Sequence, residues 1–569
     1  MKFTDAQMAL IRAEIGTYVE ACPGAGKTQS IVQRFVDRPL THPRKGVGLI
    51  SFTNAAIDEA RARCISEPAL KEVPNFIGTI DGFINRFLVG PTYLARRRIS
   101  PSFYESWSAV PNSHVKVNGI QFKASLDWFI IRSNSARLIP ERVPIELRKV
   151  AFNLKKNQRL GLEGEALRIW KLFVRRGTLT ASAARVALQS YLADSERREQ
   201  LGMLLADRFV EVIVDEVQDC SEEDILVLDL LHEFGVNIIA VGDPDQSIYA
   251  FRSDAPVNTN NFLRKLSVGE RLNGNFRSSP AICAAVNSLR AGSERDEPIG
   301  RCVEVNEPVV LLSYRRRQCL PKLLVRATRN RNFAEDDLMV IAHSSEHARV
   351  AAGAPSTRSD STNKLVIMAR AHHVIGDPRR NGLERVAAIR TLERTIRELG
   401  VADVVNLNQS DYLEVCGLSE GTFREACLRI AAALPRPFDM KPSNFRAKLQ
   451  TFKASQGQLR WTSQPLRSPR GDTWPDSLTD DQDIGPLTHS TIHALKGRQS
   501  PAVALIIPEG RAEGDGVRQW CDGIKGEERR VLYVGASRAE SLLIIAAHES
   551  VFEFVEAQLN GDGVPTVLA

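Results

Sequence analysis

A lysine and a threonine follow two glycines at the point where an apolar strand gives way to a helix. The segment Tyr18-Val-Glu-Ala-Cys-Pro-Gly-Ala-Gly-Lys-Thr28 reads as a strand end, a glycine-containing loop and a helix start. Such a loop turns backbone N–H groups inward at a helix N-terminus, whose partial positive charge favours anions. Lys27 would reach terminal phosphates, and the Thr28 hydroxyl would hold Mg²⁺. Ala21 stands where the strict phosphate-loop pattern has its first glycine, and the segment alone also fits an ordinary turn.

Two adjacent carboxylates end a second apolar strand. Val210-Glu-Val-Ile-Val214 runs into Asp215-Glu216, with Gln218-Asp219 just beyond. Carboxylates at the carboxyl edge of a strand lie where α/β proteins bind ligands. Asp215 would hold Mg²⁺ and Glu216 would polarise an attacking water. A strand-terminal Asp-Glu is often structural, but with Lys27 and Thr28 it completes the metal, positive clamp and water-positioning group that phosphoryl transfer requires.

A third strand, Ile238-Ile-Ala-Val241, leads into Gly242-Asp-Pro-Asp-Gln246-Ser-Ile-Tyr249-Ala-Phe251-Arg252. The Gln246 amide could sense a γ-phosphate, while Tyr249 and Phe251 offer flat faces for nucleic-acid bases. Stacking a base on an aromatic ring is worth roughly 1–3 kcal/mol and tolerates any sequence. The alternative is an aromatic pair that packs beneath the sheet.

Bulk properties describe a globular chain of several domains. The 569 residues exceed what one core accommodates, with 43% hydrophobic and 25% charged residues. The nine cysteines are scattered and form no C-x-x-C pair, which argues against a disulfide framework or a zinc site and favours a reducing compartment. No apolar run of about 18 residues and no N-terminal signal core are present, so we expect a cytoplasmic protein without a membrane span.

Positive charge is concentrated in one stretch. Between Pro91 and Thr180 the sequence has 17 Lys/Arg against 6 Asp/Glu, although the net charge of the whole chain is only +7. A basic block of this size is typical of a surface that binds a phosphate backbone, and a solvated helical face is the alternative.

Apolar β-branched strands alternate with helical periodicity, which indicates parallel α/β sheets. We expect one sheet before about residue 270 and a second after it, interrupted by a basic helical stretch with few strand signals over 91–180 and by a loop-bracketed stretch over 353–485. The predicted strands are Val47–Ser51, Val210–Val214, Asn237–Val241, Val309–Leu312, Leu338–Ile341, Ala502–Ile507 and Leu542–Ala546.

Nine segments together resemble, in family order, the motifs of UvrD/Rep-type DNA helicases of superfamily 1. Each match is modest, but nine in order make coincidence negligible. They are Phe3–Gln7 (Q motif), Ala21–Thr28 (I), Ser51–Asn54 (Ia), Gly78–Phe83 (the next DNA-facing motif), Val214–Asp219 (II), Gly242–Arg252 (III), Leu272–Ser279 (IV), Thr491–Gly497 (V) and Glu528–Ala539 (VI).

The resemblance implies an α/β fold of two RecA-like parallel-sheet P-loop domains, each interrupted by a mainly helical accessory insertion. Residues 1–90 and 181–270 would form the first RecA-like domain, and residues 271–352 and 486–569 the second. Residues 91–180 and 353–485 would be the two accessory domains, the first of them near duplex DNA.

The resemblance also implies site residues. Catalytic roles would belong to Glu216 and Gln246, and to Arg277 and Arg538 as arginine fingers. Thr28 and Asp215 would bind Mg²⁺. ATP would contact Gln7, Ala21, Cys22, Pro23, Gly24, Ala25, Gly26, Lys27, Thr28, Gln29, Phe276 (stacked on adenine) and Gln499 (near the ribose). Single-stranded DNA would contact Phe52, Thr53, Asn54, Thr79, Tyr249, Phe251, Arg252 and His493.

Three departures from the family pattern stand out. Gln499 replaces a glutamate expected near the ribose, so the group there is neutral, and Phe251 replaces the commoner tryptophan, giving a smaller stacking face. The chain ends soon after motif VI, so we expect no appended nuclease domain. The form of motif III is that of family members which move 3′ to 5′, and this direction is inferred from the resemblance alone.

Two functions remain open. The first is a 3′-to-5′ DNA helicase that acts in repair or in anti-phage defence on single-stranded DNA and on single-strand/double-strand junctions. The second is a DNA-activated regulatory ATPase that recognises ends and recruits a partner nuclease, since short UvrD-like proteins resemble the helicase component of Gabija-type defence systems, whose partner is an OLD-type nuclease. An RNA helicase is disfavoured by the motif forms.

Overall fold

The structure is a computed structural model that describes residues 3–37, 44–52, 54–63, 73–117, 122–143, 145–248, 256–292, 294–354, 364–376, 382–399, 409–433, 442–455, 459, 487–510 and 515–569. The chain divides into two compact units. The first comprises Met1–Ser100, Ala184–Ala352 and Leu487–Ala569, and the second comprises Pro101–Ala183 and Gly353–Pro486.

The first unit begins with a capped helix and a buried strand. Thr4 accepts a hydrogen bond from the Gln7 N–H, and the Gln7 side chain accepts one from the Thr4 N–H, so the first helix starts in a capping box. Its opening elements are α1 (Asp5–Arg12), β1 (Thr17–Glu20), α2 (Lys27–Asp37), β2 (Gly46–Ser51), α3 (Asn54–Arg63), β3 (Phe76–Thr79), α4 (Ile80–Phe83) and α5 (Gly90–Arg97).

The second unit takes the next stretch of chain. Its helices begin only after residue 144, whereas residues 102–138 contain short strands that the sequence did not predict. The elements are β4 (Ser102–Tyr104), β5 (His114–Val115), β6 (Ala124–Ser125), β7 (Phe129–Arg132), β8 (Ser135–Leu138), α6 (Ile145–Phe152), α7 (Lys156–Arg175) and β9 (Thr178–Thr180), followed by α8 (Ala181–Leu192), which leads back to the first unit. β4 pairs with β9, β5 with β6, and β7 with β8.

The first sheet is completed by elements after α8. They are α9 (Ser195–Arg208), β10 (Phe209–Val214), α10 (Glu222–Glu233), β11 (Asn237–Gly242), α11 (Pro256–Leu263) and β12 (Ser267–Val268). Among the described residues the sheet has six parallel strands in the order β12-β1-β11-β10-β2-β3. Because β1, β11 and β10 are neighbours, the loops that follow them meet at one carboxyl edge.

A second parallel sheet lies in the same unit. Its strands are ordered β17-β16-β18-β19-β15-β20 in the described part of the chain, around a core that includes Trp520 and Tyr533. Its elements are β13 (Gly274–Asn275), α12 (Pro280–Leu289), β14 (Glu297–Pro298), β15 (Val309–Tyr314), α13 (Leu320–Arg329), β16 (Leu338–Ala342) and α14 (Ser345–Ala351), then, after the second insertion, β17 (Thr488–Thr491), β18 (Ser500–Ile507), α20 (Gly516–Cys521), α21 (Glu527–Ala536), β19 (Ala539–His548), α22 (Glu549–Gly561) and β20 (Thr566–Leu568). All seven strands predicted from the sequence lie within these two sheets.

The second insertion is helical where it is described, and it belongs to the second unit. Its core surrounds the buried rings of Tyr412 and Phe423. The helices are α15 (Lys364–Gly376), α16 (Gly382–Glu398), α17 (Gln409–Cys416), α18 (Glu420–Ala433) and α19 (Pro442–Ser455). A search of the described helices of the whole chain finds none long and apolar enough to cross a membrane.

Candidate active site

The loop between β1 and α2 has the conformation that a phosphate cradle needs. Gly24 and Gly26 adopt φ of 72° and 71°, a region that other residues avoid. The strand end is held on its open side, where the Cys22 N–H donates to the Leu272 carbonyl at 2.9 Å. The remaining loop residues predicted to bind nucleotide, Ala21, Pro23 and Ala25, are buried, while Thr28 and Gln29 at the start of α2 are half-buried.

Gln7 supports this loop from behind. Its Nε2 donates to the Ala25 carbonyl at 2.9 Å, and its Oε1 accepts from the Thr4 N–H at 2.9 Å. A Cβ at Gly26 would lie 2.7 Å from Gln7 Nε2, so only glycine fits there. Gln7 therefore contacts the phosphate loop directly, and its predicted contact with adenine remains a prediction.

Lys27 and the acid pair lie together. Lys27 Nζ is 3.1 Å from Glu216 Oε1, and both side chains are largely buried. Burial raises the pKa of Asp215, and the adjacent Glu216 charge raises it further. Burial acts in the same direction on Glu216, but the Lys27 and Lys496 ammonium groups prevail and lower the pKa of Glu216 below its usual range. Glu216 is therefore a carboxylate at neutral pH, ready to accept a proton or orient water.

Glu216 is held in an unusual backbone conformation. Its φ of 56° is left-handed, which is rare for a residue with a side chain and is found preferentially at functional sites. The Gln218 amide donates to Glu216 Oε2 and accepts from the Asp243 N–H at 3.0 Å. Gln218 thus ties the loop after β10 to the loop after β11.

Gln246 lies at the meeting point of the two sheets. Its Nε2 donates to Asp243 Oδ2 at 2.8 Å, and its Oε1 accepts from Arg538 at 2.8 Å. The Tyr533 hydroxyl also donates to Asp243 Oδ2 at 3.0 Å. The predicted γ-phosphate sensor is therefore in contact with a predicted arginine finger.

Arg538 is almost fully buried. Burial, and then the neighbouring Arg277 charge, lower the pKa of Arg538, although a guanidinium stays protonated at neutral pH. Besides Gln246 it bonds the Val534 carbonyl and the Ser537 hydroxyl, all neutral groups.

Arg277 comes from the loop between β13 and α12. The Phe276 N–H donates to the Gly24 carbonyl at 3.0 Å, so this loop lies against the phosphate loop. The Arg277 guanidinium donates to Gln499 Oε1 at 2.8 Å and to the Ser537 carbonyl at 2.9 Å. Gln499, predicted near the ribose, thus contacts an arginine. Phe276, predicted to stack on adenine, is half-buried beside the loop.

Lys496 also crosses between the sheets, and its role was missed in the sequence. Its Nζ bonds Asp219 Oδ2 at 2.6 Å and the Gln246 carbonyl at 2.9 Å, and both side chains of the ion pair are only 5% exposed. Lys496, Asp219, Gln218 and Tyr533 all belong to segments that resemble family motifs, so their presence in motifs II, V and VI was the available signal.

These contacts define two facing surfaces. We call the loops Ala21–Thr28, Asp215–Asp219 and Asp243–Gln246 the first-sheet wall. We call Phe276–Arg277, His493–Gln499 and Tyr533–Arg538 the second-sheet wall.

The residues predicted to face DNA are only partly described. Thr53, Tyr249, Phe251 and Arg252 lie outside the described residues, and α3 begins at Asn54. Phe52 is half-buried at the end of β2, and the Thr79 hydroxyl caps α4 by accepting from the Gly82 N–H at 3.0 Å. The His493 ring nitrogen contacts the Ile248 carbonyl at 3.2 Å, and its ring stacks on His343 at 5.3 Å.

A divalent cation fits the acid pair. Asp215 is 1% exposed, and its Oδ1 has no hydrogen-bond partner, although a buried carboxylate oxygen ordinarily requires one. No three His, Cys, Asp or Glu side chains form a metal cluster in the described ranges. Such a site suits Mg²⁺, which keeps several waters and takes one or two carboxylates plus substrate phosphates. Asp215 and the Thr28 hydroxyl are the residues that would hold it.

Comparisons with known proteins agree with this geometry. Residues 4–267 match the model of the UvrD/REP helicase N-terminal domain. The chain is 34% identical over 164 residues to an ATP-dependent helicase/nuclease protein of Exiguobacterium sibiricum, covering 26% of this chain and 14% of that protein. It is 36% identical over 85 residues to DNA helicase II of Escherichia coli, covering 15% and 12%. It is 38% identical over 87 residues to the ATP-dependent DNA helicase srs2 of Schizosaccharomyces pombe, covering 14% and 9%. Each of these three matches thus spans less than a fifth of the relative's own length.

Proposed function

Because this chain belongs to the UvrD/Rep-type helicases of superfamily 1A, we propose that it hydrolyses Mg-ATP between its two parallel sheets and thereby moves 3′ to 5′ along single-stranded DNA and unwinds duplex. The observation that carries this proposal is the contact of Arg538 with Gln246 in a site that also holds Lys27, Glu216 and Arg277. Phosphoryl transfer is catalysed chiefly by positioning and by stabilising charge, and this site combines both.

Each wall would have a distinct role in hydrolysis. The backbone of the phosphate loop and Lys27 would bind the β- and γ-phosphates, and Asp215 with Thr28 would hold Mg²⁺. Lys27 would exchange Glu216 for phosphate oxygens when ATP binds, which would release Glu216 to polarise the attacking water. Arg277 and Arg538 would stabilise the charge on the transferring phosphoryl group.

Movement would follow from the contacts that cross between the walls. Gln246 touches Arg538 and Lys496 together, so its response to the γ-phosphate would change the grip of one sheet on the other. Alternating grip on a strand would produce steps along DNA. Phe52, Thr53, Asn54, Thr79, Tyr249, Phe251, Arg252 and His493 would contact that strand. The proposal places the basic insertion, residues 91–180, near the duplex ahead and assigns the chain to repair or anti-phage defence.

ATP turnover by the purified chain tests the site. We expect hydrolysis that single-stranded DNA stimulates and that Lys27→Ala or Glu216→Gln abolishes. Lys45→Ala, which removes an ammonium 3.7 Å from Asp207 and away from the site, is the control and should retain activity. Full turnover in either site variant would refute the assignment.

Strand displacement tests the direction. The chain should unwind duplexes with a 3′ single-stranded tail in preference to those with a 5′ tail, because the form of motif III, Asp245 to Arg252, is that of 3′-to-5′ members. A preference for the 5′ tail would refute the direction and leave the ATP site intact.

A second candidate is a DNA-activated ATPase that recognises ends and activates a nuclease, with little unwinding of its own. It is favoured by the similarity to a protein whose name joins helicase and nuclease. Robust DNA-stimulated hydrolysis without displacement of either tailed duplex would favour this candidate, and unwinding by the chain alone would favour the first.

A further inference from the structure

The side chain of Arg277 has a fixed base and a steered tip. A Cβ at Gly24 would lie 2.6 Å from Arg277 Cβ, so the two backbones approach as closely as a glycine allows. Asn275 Oδ1 accepts from the Arg277 N–H at 2.8 Å and from the Ser278 N–H at 3.0 Å, which fixes the backbone turn. The Cα–Cβ bond is therefore set beside the phosphate loop, and only the side-chain torsions remain to be determined.

Gln499 and Ser537 determine those torsions. Arg277 Nε donates to Gln499 Oε1 at 2.8 Å, and one terminal nitrogen donates to the Ser537 carbonyl at 2.9 Å. A guanidinium has five N–H donors in one plane, so two bonds on different nitrogens fix the plane and leave three donors for a ligand. The remaining donors are those that a phosphoryl group would need.

Both partners are neutral. No ion pair of Arg277 is found among the described residues, whereas Lys27 and Lys496 each have a carboxylate partner. A glutamate at position 499 could accept the same hydrogen bond, but it would also pair its charge with the guanidinium and hold it more tightly. An amide orients the arginine and leaves its positive charge available.

We propose that Gln499 is a positioning residue that orients Arg277 toward the phosphate loop without neutralising it. The proposal rests on ATP hydrolysis at this site, and it gives Gln499 a role through Arg277 instead of the ribose contact that the sequence suggested. Gln499 is on the exposed loop before β18, so its replacement should leave the fold intact.

The test combines turnover with binding of a transition-state mimic. Gln499→Met keeps the length of the side chain but removes the acceptor, and Gln499→Glu keeps the acceptor but adds a charge. We expect Gln499→Met to lower kcat about tenfold, as for loss of a hydrogen bond to a charged group, with KM for ATP changed less than about twofold. Gln499→Glu should lower kcat at least as much. The control Gln200→Met, on exposed α9 where Gln200 bonds Glu196, should be neutral.

A double variant shows whether Gln499 acts through Arg277. With Arg277→Ala in place, Gln499→Met should cause no further loss of kcat. Calorimetry should give the same pattern for ADP with aluminium fluoride: Gln499→Met weakens binding of this mimic about tenfold, leaves ADP alone unchanged, and has no effect once Arg277 is replaced. Independent, multiplicative losses would overturn the proposal.

Other outcomes separate this proposal from the assignment of the site. An increase in KM for ATP that is absent with 3′-deoxy-ATP would show a ribose contact and overturn the positioning role. Nucleotide binding without any effect of Gln499→Met would do the same while leaving the ATP site in place. Failure of the unmodified chain to bind ATP or the mimic would overturn the proposed function and this inference together.

Discussion

The two walls of the site handle their charged groups differently. On the first-sheet wall, Lys27 is paired with a carboxylate, Glu216. On the second-sheet wall, Arg277 and Arg538 bond only amide, hydroxyl and carbonyl oxygens among the described residues, while Lys496 reaches across to a carboxylate, Asp219. Cations with carboxylate partners are locked in place, and those with neutral partners keep their charge for a ligand.

This difference separates structural cations from reactive ones. A buried ion pair has most of its attraction satisfied internally, and removing one partner leaves the other buried and uncompensated. A buried arginine with neutral partners has been desolvated without a counter-charge, an arrangement that becomes favourable when an anion arrives. Arg277 and Arg538 fit the second description, and Lys496 fits the first.

The largest expected effect comes from Arg538. If its charge serves the transition state, Arg538→Ala should lower kcat for ATP by about 10³-fold or more, the range of arginine fingers, while KM changes only a few-fold. Arg538→Lys should recover part of the loss, because it restores the charge but not the planar set of donors. The measurement is steady-state ATPase with saturating single-stranded DNA.

Arg518→Ala provides the comparison for that experiment. Arg518 is an exposed arginine on α20 that pairs with Asp522, so its loss should change turnover less than about twofold. A large rise in KM with unchanged kcat in Arg538→Ala would mean that Arg538 binds the ground state, and the contrast between the two kinds of cation would fail.

The second effect concerns stability. Lys496→Met should destabilise the chain by about 3–5 kcal/mol, because it leaves the Asp219 carboxylate buried without its partner. Burial already raises the pKa of Asp219 although the Lys496 charge opposes it. Asp219→Asn should recover much of the loss in a double variant. Urea unfolding followed by circular dichroism measures both.

The chain contains a matched pair for this measurement. Lys265 and Asp229 are also 2.6 Å apart, but their side chains are 49% and 25% exposed. Lys265→Met should therefore cost less than about 1 kcal/mol. Equal losses in Lys496→Met and Lys265→Met would show that burial does not distinguish the two ion pairs.

The sequence predicted the elements of the site better than their contacts. Phosphate loop, acid pair and strand ends are local patterns, because each needs only a strand, a turn and a helix start in succession, and the structure forms them at the predicted residues. The partners of Gln499 and Lys496 are more than 200 residues away in the chain. No local pattern specifies which side chains meet across two sheets.

The short strands of the first insertion escaped prediction for a different reason. β5 and β6 are two residues long, too short for the alternation by which strands are recognised. The basic composition over 91–180 is equally compatible with helix or ladder. Charge predicted a surface property there, and it carried no information on the backbone.

The smallest expected effect tests an ion pair that stays within one sheet and is half-exposed. His343 Nδ1 is 3.1 Å from Glu528 Oε2, with side chains 46% and 42% exposed. The hydrogen bond to Glu528 raises the pKa of His343, and the same bond lowers the pKa of Glu528. Because the histidine pKa is higher in the folded state, its contribution is complete below about pH 6.5 and is lost as the pH rises through the folded value. Exposure limits it to roughly 0.2–1 kcal/mol.

The measurement is the stability difference between the unmodified chain and His343→Gln at about pH 6 and about pH 8.5, on either side of the histidine titration. The unmodified chain should lose its small advantage at the higher pH, since Glu528 stays ionised throughout and only the histidine charge disappears. His548→Gln is the control, because the His548 ring contacts the Ser550 hydroxyl and not a carboxylate. An advantage that is the same at both pH values would show that His343 and Glu528 interact as neutral hydrogen-bond partners, and an advantage comparable to that of Lys496 would show that crossing between the sheets adds nothing to an ion pair.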